Sequence, residues 1–454
     1  MYGGIRPLTR FTQHVPVPPP HNPVRMVSSI TVNPLPPVRK PAHQQLDEKH
    51  PDKEQLIKSH HRPGGAGFQN PWPSFKPHSL SEAFQLRFGA HPEKNFVPVP
   101  QGPNGTRSDE LVKVRKPDWG VNRKEKLRAT WIGHASFLIE FPVANAAATA
   151  ATAGKGGGGA GAKQQQQRGI RVLCDPVFSE RTSPVQWLGP KRYTPPPCAL
   201  EELPEVDIVC ISHNHYDHLD YATVRHIYSR QGGDGGVHFV AGLGNKKWFT
   251  RQVGCQEDEV SELDWWDGCE VEVEGRGKVR LTCCPTQHGS GRSINDQGHT
   301  LWCSWAIESN GRKLYFAGDT AYKAEDAPAA CPAFREIGEA LGPFDLALLP
   351  IGLMSPHQWM GSVHATPEQS LLIHKDIKSK LSIGMHWGTV RGGISAHYED
   401  VRDPPRRWQA AAEKEGLWRG GGPQGTPLQT EDTGSGSSEY GGVGLCEVGE
   451  TIAV

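Results

Sequence analysis

The chain has 454 residues, room for two or three average domains or one large one. Its formal net charge is zero, which argues against a nucleic-acid binder driven by bulk charge. Only 36% of the residues are apolar while Gly (52) and Pro (39) are plentiful, so much of the chain reads as loop around an ordered core of roughly 330 to 350 residues.

Residues 1–67 are rich in Pro and His and show no sustained hydrophobic period. No acidic residue precedes Asp47, whereas Arg6, Arg10, Arg25, Arg39 and Lys40 are basic. That charge pattern resembles an organelle leader, which keeps a mitochondrial destination open. The proline density works against an amphipathic helix, so the region is expected to be disordered. The packed domain is expected to span 68–418, starting where aromatic residues appear in Phe68-Gln69-Asn70-Pro71-Trp72-Pro73. Leu127 to Phe141 reads as a strand, a turn at Gly133-His134 and a second strand. Residues 143–169, mostly Ala and Gly with a run of Gln, form a low-complexity insert before a further strand, Ile170 to Cys174. Such an overgrown hairpin loop costs little, because closure entropy grows only logarithmically with length.

Further strands are expected at Asp207 to Ser212, His238 to Ala241, Val279 to Pro285, Thr300 to Glu308, Lys313 to Ala317, Leu346 to Ile351 and Leu381 to Met385. A helix should begin after Thr366, with Pro367 at its first position and Gln369 three residues past the cap. Residues 419–441 read as a Gly- and Ser-rich linker, and 442–454 as one last strand returning to the domain. The ten Cys include no C-x-x-C, and several lie in apolar runs, as befits buried reduced thiols of an intracellular protein. No segment has the apolar length of a membrane-spanning helix, so any membrane contact is expected to be peripheral.

The apolar run Val206 to Ile211 leads directly into Ser212-His213-Asn214-His215-Tyr216-Asp217-His218. Four potential metal ligands fall within six residues. On a helix, positions two apart do not share a face, but a strand end or tight loop lets them converge. Imidazole suits zinc, iron or copper, and an added carboxylate suits a hydrolytic site. With 21 His in the chain, spacing and position carry this argument.

Three later strands end in the same kind of residue: His288, Asp319 within Ala317-Gly318-Asp319-Thr320, and His386 before Trp387-Gly388. Ligands in α/β sheets gather outside the carboxyl ends of strands, so four such ends point to one site. Seven ligands suit two metals. His213, His215 and His288 are assigned to the first, Asp217, His218 and His386 to the second, and Asp319 bridges. Two cations roughly 3.5–4 Å apart would lower the pKa of a shared water and predict metal-assisted hydrolysis.

These residues resemble the metallo-β-lactamase superfamily, whose H-x-H-x-D-H motif and later His, Asp and His they match. The resemblance implies an αβ/βα sandwich in the α/β class. Within the superfamily the chain is similar to the N-acylphosphatidylethanolamine-hydrolysing phospholipase D family, on TWIGHAS (130–136), DPVFSERTSPVQWLGPKRY (175–193), ELDWWD (262–267), FAGDTAY (316–322), CPAFREIG (331–338) and HWGT (386–389). That implies two zinc ions and hydrolysis of a phosphodiester to an N-acylethanolamine and phosphatidic acid. It also implies a functional role for His364, in positioning phosphate or assisting the leaving group, and a second role for Asp319 as proton acceptor.

The stretch Gly289-Ser290-Gly291-Arg292 is smaller than the family pattern, which leaves acyl selectivity open. The expected partner is a phospholipid at a membrane surface, with no nucleic acid and with a homodimer as one open assembly. Candidate lipid contacts are Trp359 and Met360, with Phe68 to Phe75 and Trp187-Leu188 as further aromatic surface. Lys191 and Arg192 would face an anionic interface. A related hydrolase of a soluble ester, lactone or cyclic phosphodiester is the competing enzyme, and a non-catalytic metal-binding module is the other alternative.

Overall fold

The computed structural model describes residues 29–38, 59–91, 93–100, 111–143, 168–233, 235–422, 426–430 and 441–454. Among these, fifteen strands form two sheets. They are β1 (Ile30–Leu35), β2 (Arg128–Gly133), β3 (Ser136–Glu140), β4 (Arg171–Cys174), β5 (Ile208–Ile211), β6 (His238–Gly242), β7 (Val260–Leu263), β8 (Gly268–Val273), β9 (Gly277–Cys284), β10 (Ser304–Ser309), β11 (Arg312–Phe316), β12 (Leu346–Pro350), β13 (Leu381–Met385), β14 (Gly442–Gly444) and β15 (Thr451–Ala453). One sheet runs β1-β8-β9-β10-β11-β12-β13-β14, the other β15-β2-β3-β4-β5-β6-β7. Each is antiparallel at one side and parallel at the other, with β4 to β7 and β11 to β14 forming the parallel halves.

Period-2 alternation decides what each strand buries. In β5, Ile208 and Cys210 join the core shared by both sheets, while Val209 and Ile211 face outward. The outward pair packs with Val224 and Ile227 of helix α2 (Tyr221–Gln231). β12 is buried along its whole length, as a parallel strand covered on both faces should be. Its outer cover includes α5 (Pro367–Asp376), while α3 (Ala333–Ala340) packs on α5 and α6 (Asp403–Lys414) reaches β14. Helix α1 (Leu80–Phe88) and the single turn α4 (His357–Met360) border one cavity, to which they contribute Glu82, Gln85, Gln358 and Trp359.

The expected hairpin is β2 and β3, turning at Gly133 and His134, both with positive φ. A 3.0 Å bond from Phe141 N to Ile170 O ties together the residues flanking the insert, of which 144–167 lie outside the described residues. Thr366 caps α5 as the sequence indicates, in a capping box with Gln369 and with Pro367 at the first position. All ten Cys are free thiols, nine of them buried.

The structure departs from the expected boundaries in four places. Within the leader, Ile30–Leu35 pairs antiparallel with β8, and His60 and His61 pack on Asp264, so ordered structure begins well before residue 68. An edge strand tolerates Pro34, which is what concealed it. The strands β7 and β8, with their charged outward residues, were not anticipated. The described part of 419–441 is no free linker: Arg419 N bonds Val443 O and Gly421 N bonds Thr426 O. The last segment is not one strand, since β14 joins one sheet and β15 the other.

Candidate metal centre

Strand ends deliver the site. His213 and His215 follow β5, and the chain then turns so that the N–H groups of His218 and Leu219 both bond His215 O. Asp220 closes this turn by capping α2, accepting from Thr223 Oγ1 at 2.6 Å and Ala222 N at 3.3 Å. His288 follows β9, Asp319 follows β11 and His386 follows β13. Gly318 has φ +58°, and a Cβ there would lie 2.5 Å from that of Ser212, so only glycine lets the Asp319 loop close over β5.

All seven residues nominated from the sequence come together. His213 Nε2 lies 2.8 Å from His215 Nδ1, which is 3.3 Å from His288 Nε2. His218 Nε2 and His386 Nε2 are 3.2 Å apart, each 3.8 Å from Asp217 Oδ2. Between these sets Asp319 presents Oδ2 to His218 (3.1 Å), His288 (3.7 Å) and His213 (3.9 Å), and Oδ1 to His386 (3.0 Å).

The donors fit divalent cations. Three imidazole nitrogens that converge on one another cannot all find partners among themselves, but a cation between them satisfies all three. Ligands about 2.0–2.1 Å from a tetrahedral zinc would stand about 3.3 Å apart, and the donor separations here, 2.8 to 3.8 Å, bracket that value. Asp319 Oδ1 makes no aligned hydrogen bond despite its distance from His386, a relation natural to two ligands of one ion. Far-side contacts fix the rings: Asp175 Oδ2 holds His218 Nδ1 at 2.7 Å, Val363 O accepts from His288 Nδ1 at 2.7 Å, and Ser212 Oγ meets His213 Nδ1 at 2.9 Å.

Electrostatically the two sets differ. Burial drives His213 and His288 well below the ordinary histidine range. Burial opposes charge on His218 and His386 too, but Asp319 and Asp217 outweigh it. His218 is lifted well above its usual range and His386 to about 9. Asp319 in turn is held far below the carboxylate range against its own burial by His218 and His386.

His364 belongs to the same cluster, its ring centre 5.2 Å from that of His288 and 5.4 Å from that of His386. Burial lowers it to about 4, and its Nδ1 has no partner. Trp359 is half-buried and edges a cavity of about 490 Å3 that is also lined by Lys76, His78, Glu82, Leu86 and His91. Met360 is buried, and its carbonyl accepts from His364 N.

Neither Lys191 nor Arg192 is among the converging metal-ligand candidates. Lys191 pairs with exposed Glu180 at 2.6 Å. Arg192 is a correction: it is buried and donates to Val177 O at 2.7 Å, so its charge serves the loop rather than an interface. Phe68, likewise, is core rather than surface.

Three residues of the site were missed. His134, in the β2–β3 turn, places Nε2 3.0 Å from Asp217 Oδ2 and its ring centre 4.0 Å from that of His386. Asp175 follows β4 just as Asp319 follows β11, and that position was the available signal. Arg292, in the small-residue stretch, donates to Asn214 O and Leu219 O at 2.9 Å and lies over the Tyr216 ring at 3.8 Å, bracing the histidine-rich loop.

A β-lactamase superfamily domain matches residues 170–387. The chain is 35% identical over 290 residues to N-acyl-phosphatidylethanolamine-hydrolyzing phospholipase D 1 of Caenorhabditis elegans, 63% of this chain and 71% of that one. It is 35% identical over 315 residues to an uncharacterized protein of Mycobacterium tuberculosis, covering 69% and 71%. With the mitochondrial N-acyl-phosphatidylethanolamine-hydrolyzing phospholipase D of Saccharomyces cerevisiae it shares 30% over 331 residues, 71% and 67%. On this similarity and this fold, the chain belongs to the metallo-β-lactamase superfamily of metal-dependent hydrolases, in the family that includes the N-acyl-phosphatidylethanolamine-hydrolyzing phospholipases D.

Proposed function

We propose that this chain is a dizinc phosphodiesterase that cleaves N-acylphosphatidylethanolamine to an N-acylethanolamine and phosphatidate. The observation that carries the proposal is the convergence of five imidazoles and two carboxylates at strand ends, in a chain 30–35% identical to two relatives named for this reaction. His213, His215 and His288 would hold one cation, Asp217, His218 and His386 the other, with Asp319 between them. Bound there, the pair supplies Lewis acidity, activating water and neutralising phosphoryl charge.

The rest falls to the chain. Asp319, kept ionised, accepts the proton of the attacking water. His364 is neutral at physiological pH, and its unpartnered Nδ1 serves to orient a phosphoryl oxygen or the departing alcohol. The phosphorus–oxygen bond on the ethanolamine side breaks, phosphorus gains the hydroxyl, and the alcohol leaves with the proton.

The cavity beside Trp359 offers lipid room next to the Met360–His364 turn. Exposed Phe84 and Phe88 on α1, with Trp187 and Leu188, are apolar surface suited to peripheral contact with a bilayer. No helix of the described residues is long and apolar enough to cross a membrane. The yeast relative's name and the basic leader favour mitochondria, and a homodimer is the assembly to test first. Purified protein offered N-acylated phosphatidylethanolamine vesicles, a soluble cyclic phosphodiester and a lactone should turn over the lipid and release N-acylethanolamine. Cleavage of a soluble substrate alone would move the chain to the competing hydrolase class.

A further inference from the structure

We propose that His60, His61 and Asp264 form a separate divalent-cation site, of the two-histidine, one-carboxylate kind, that clamps residues 59–75 onto the domain. None of the three belongs to the seven-residue cluster. His60 Nε2 lies 2.7 Å from Asp264 Oδ1 and His61 Nε2 2.8 Å from Asp264 Oδ2, across more than 200 residues of sequence. A carboxylate can accept from both rings, but two imidazole nitrogens and a carboxylate whose donor atoms all lie within 4.8 Å of one another also make a set that a divalent cation can take. Here two consecutive rings turn the same nitrogen onto the two oxygens of a single carboxylate.

Their surroundings hold them in that pose. The His60 ring stacks on Trp265 at 4.3 Å, Trp265 stacks on Trp72 at 5.2 Å, and His61 meets the edge of Phe68 at 5.0 Å. Trp265 N donates to Asp264 Oδ1 at 2.8 Å and fixes the carboxylate. The side chain of His60 is 5% exposed and that of His61 31%, so the trio is walled on one side and open to solvent on the other. That leaves an entry path and free coordination positions. Two imidazoles and one carboxylate suit a borderline ion, Zn2+ foremost among those a cell supplies.

The clamp bears on the other centre through the chain it holds. Gln69 N bonds His60 O, Asn70 Nδ2 donates to the carbonyl of His288 at 2.7 Å, and Ser74 Oγ donates to Gln287 Oε1 at 2.5 Å. An ion at His60, His61 and Asp264 therefore secures the segment that grips the backbone of a strand-end ligand.

The test is metal content of the full chain, loaded with Zn2+, desalted and read by elemental analysis. Asp264→Asn and His61→Gln should each carry one equivalent less than the parent, whatever the parent's total. Asp319→Ala should keep that equivalent while losing metal from the other centre. With Co2+ in place of Zn2+, the same part of the visible absorption should vanish in His61→Gln and in Asp264→Asn. His61 is partly exposed, so its variant decides the matter should Asp264→Asn not fold. Equal metal in the parent and folded His61→Gln would overturn the proposal and leave a hydrogen-bonded trio. Lipid hydrolysis is not the readout, so this result stands apart from the proposed reaction.

Discussion

Asp319 touches both ligand sets, and its charge outweighs burial only in the set where Asp217 stands beside it. It and Asp217 lift His218 and His386, whereas His213 and His288, where burial dominates, stay neutral. In metal-stripped protein the set containing His386 is therefore protonated at pH 7, and an ion must displace those protons. Because the folded pKa of His386 is raised from 6.5 to about 9, its ion pairing stabilises the stripped fold fully below pH 6.5 and is lost as pH rises through 9. Metal affinity at this set should run the opposite way, rising by about tenfold per pH unit for each proton displaced between pH 7 and 9. Calorimetry in buffers of different ionisation enthalpy should show the released protons; a flat affinity over that range would refute the assignment.

Asp175 is fully buried against His218 Nδ1, so Asp175→Asn should weaken metal binding by about 10- to 100-fold without loss of fold. His364→Gln should lower kcat by about 100-fold or more while metal content holds. At this scale the sequence was informative because the nominated ligands follow just four strands, β5, β9, β11 and β13. His134 escaped because it sits in a hairpin turn, where one histidine carries no pattern. Arg192 misled because a basic residue beside aromatics looks the same in sequence whether it faces lipid or a buried carbonyl.

Among the elements, the clearest were those with local signals. The capping box of α5 is written in Thr366-Pro367-Glu368-Gln369, and Thr366→Ala should cost about 1 kcal/mol in a denaturant titration. The hairpin of β2 and β3 was legible from β-rich alternation around Gly133. What stayed hidden depends on distant pairing: β1 is a strand only because β8 offers it an edge, and its Pro34 argued otherwise. The closing residues alternate along their length, yet the turn marked by the bond from Glu450 N to Glu447 O sends β14 and β15 to different sheets. Replacing residues 144–167 by a short polar turn should leave activity intact and stabilise the fold by no more than about 2 kcal/mol, since the loop ends already meet. A loss of folding would mean that the insert packs.

Over the whole molecule, two sheets, each with a parallel half, aim β5, β9, β11 and β13 at one place, and the turn of β2–β3 closes it. That arrangement is why ligands scattered from His213 to His386 act as a unit, and why no single stretch of sequence contains the site. The segment 59–75 wraps over this unit and reaches His288 through Asn70, so the ordered molecule is larger than its aromatic-rich part suggested. In the proposed reaction the gathered histidines and aspartates hold the metal on which phospholipid hydrolysis depends. The most direct test of that dependence is the rate on N-acylphosphatidylethanolamine vesicles after chelator treatment and then stepwise return of Zn2+. N-acylethanolamine release should stop with the chelator, return with zinc, and never return in Asp319→Ala. Release that persists in the stripped enzyme or in that variant would contradict that dependence.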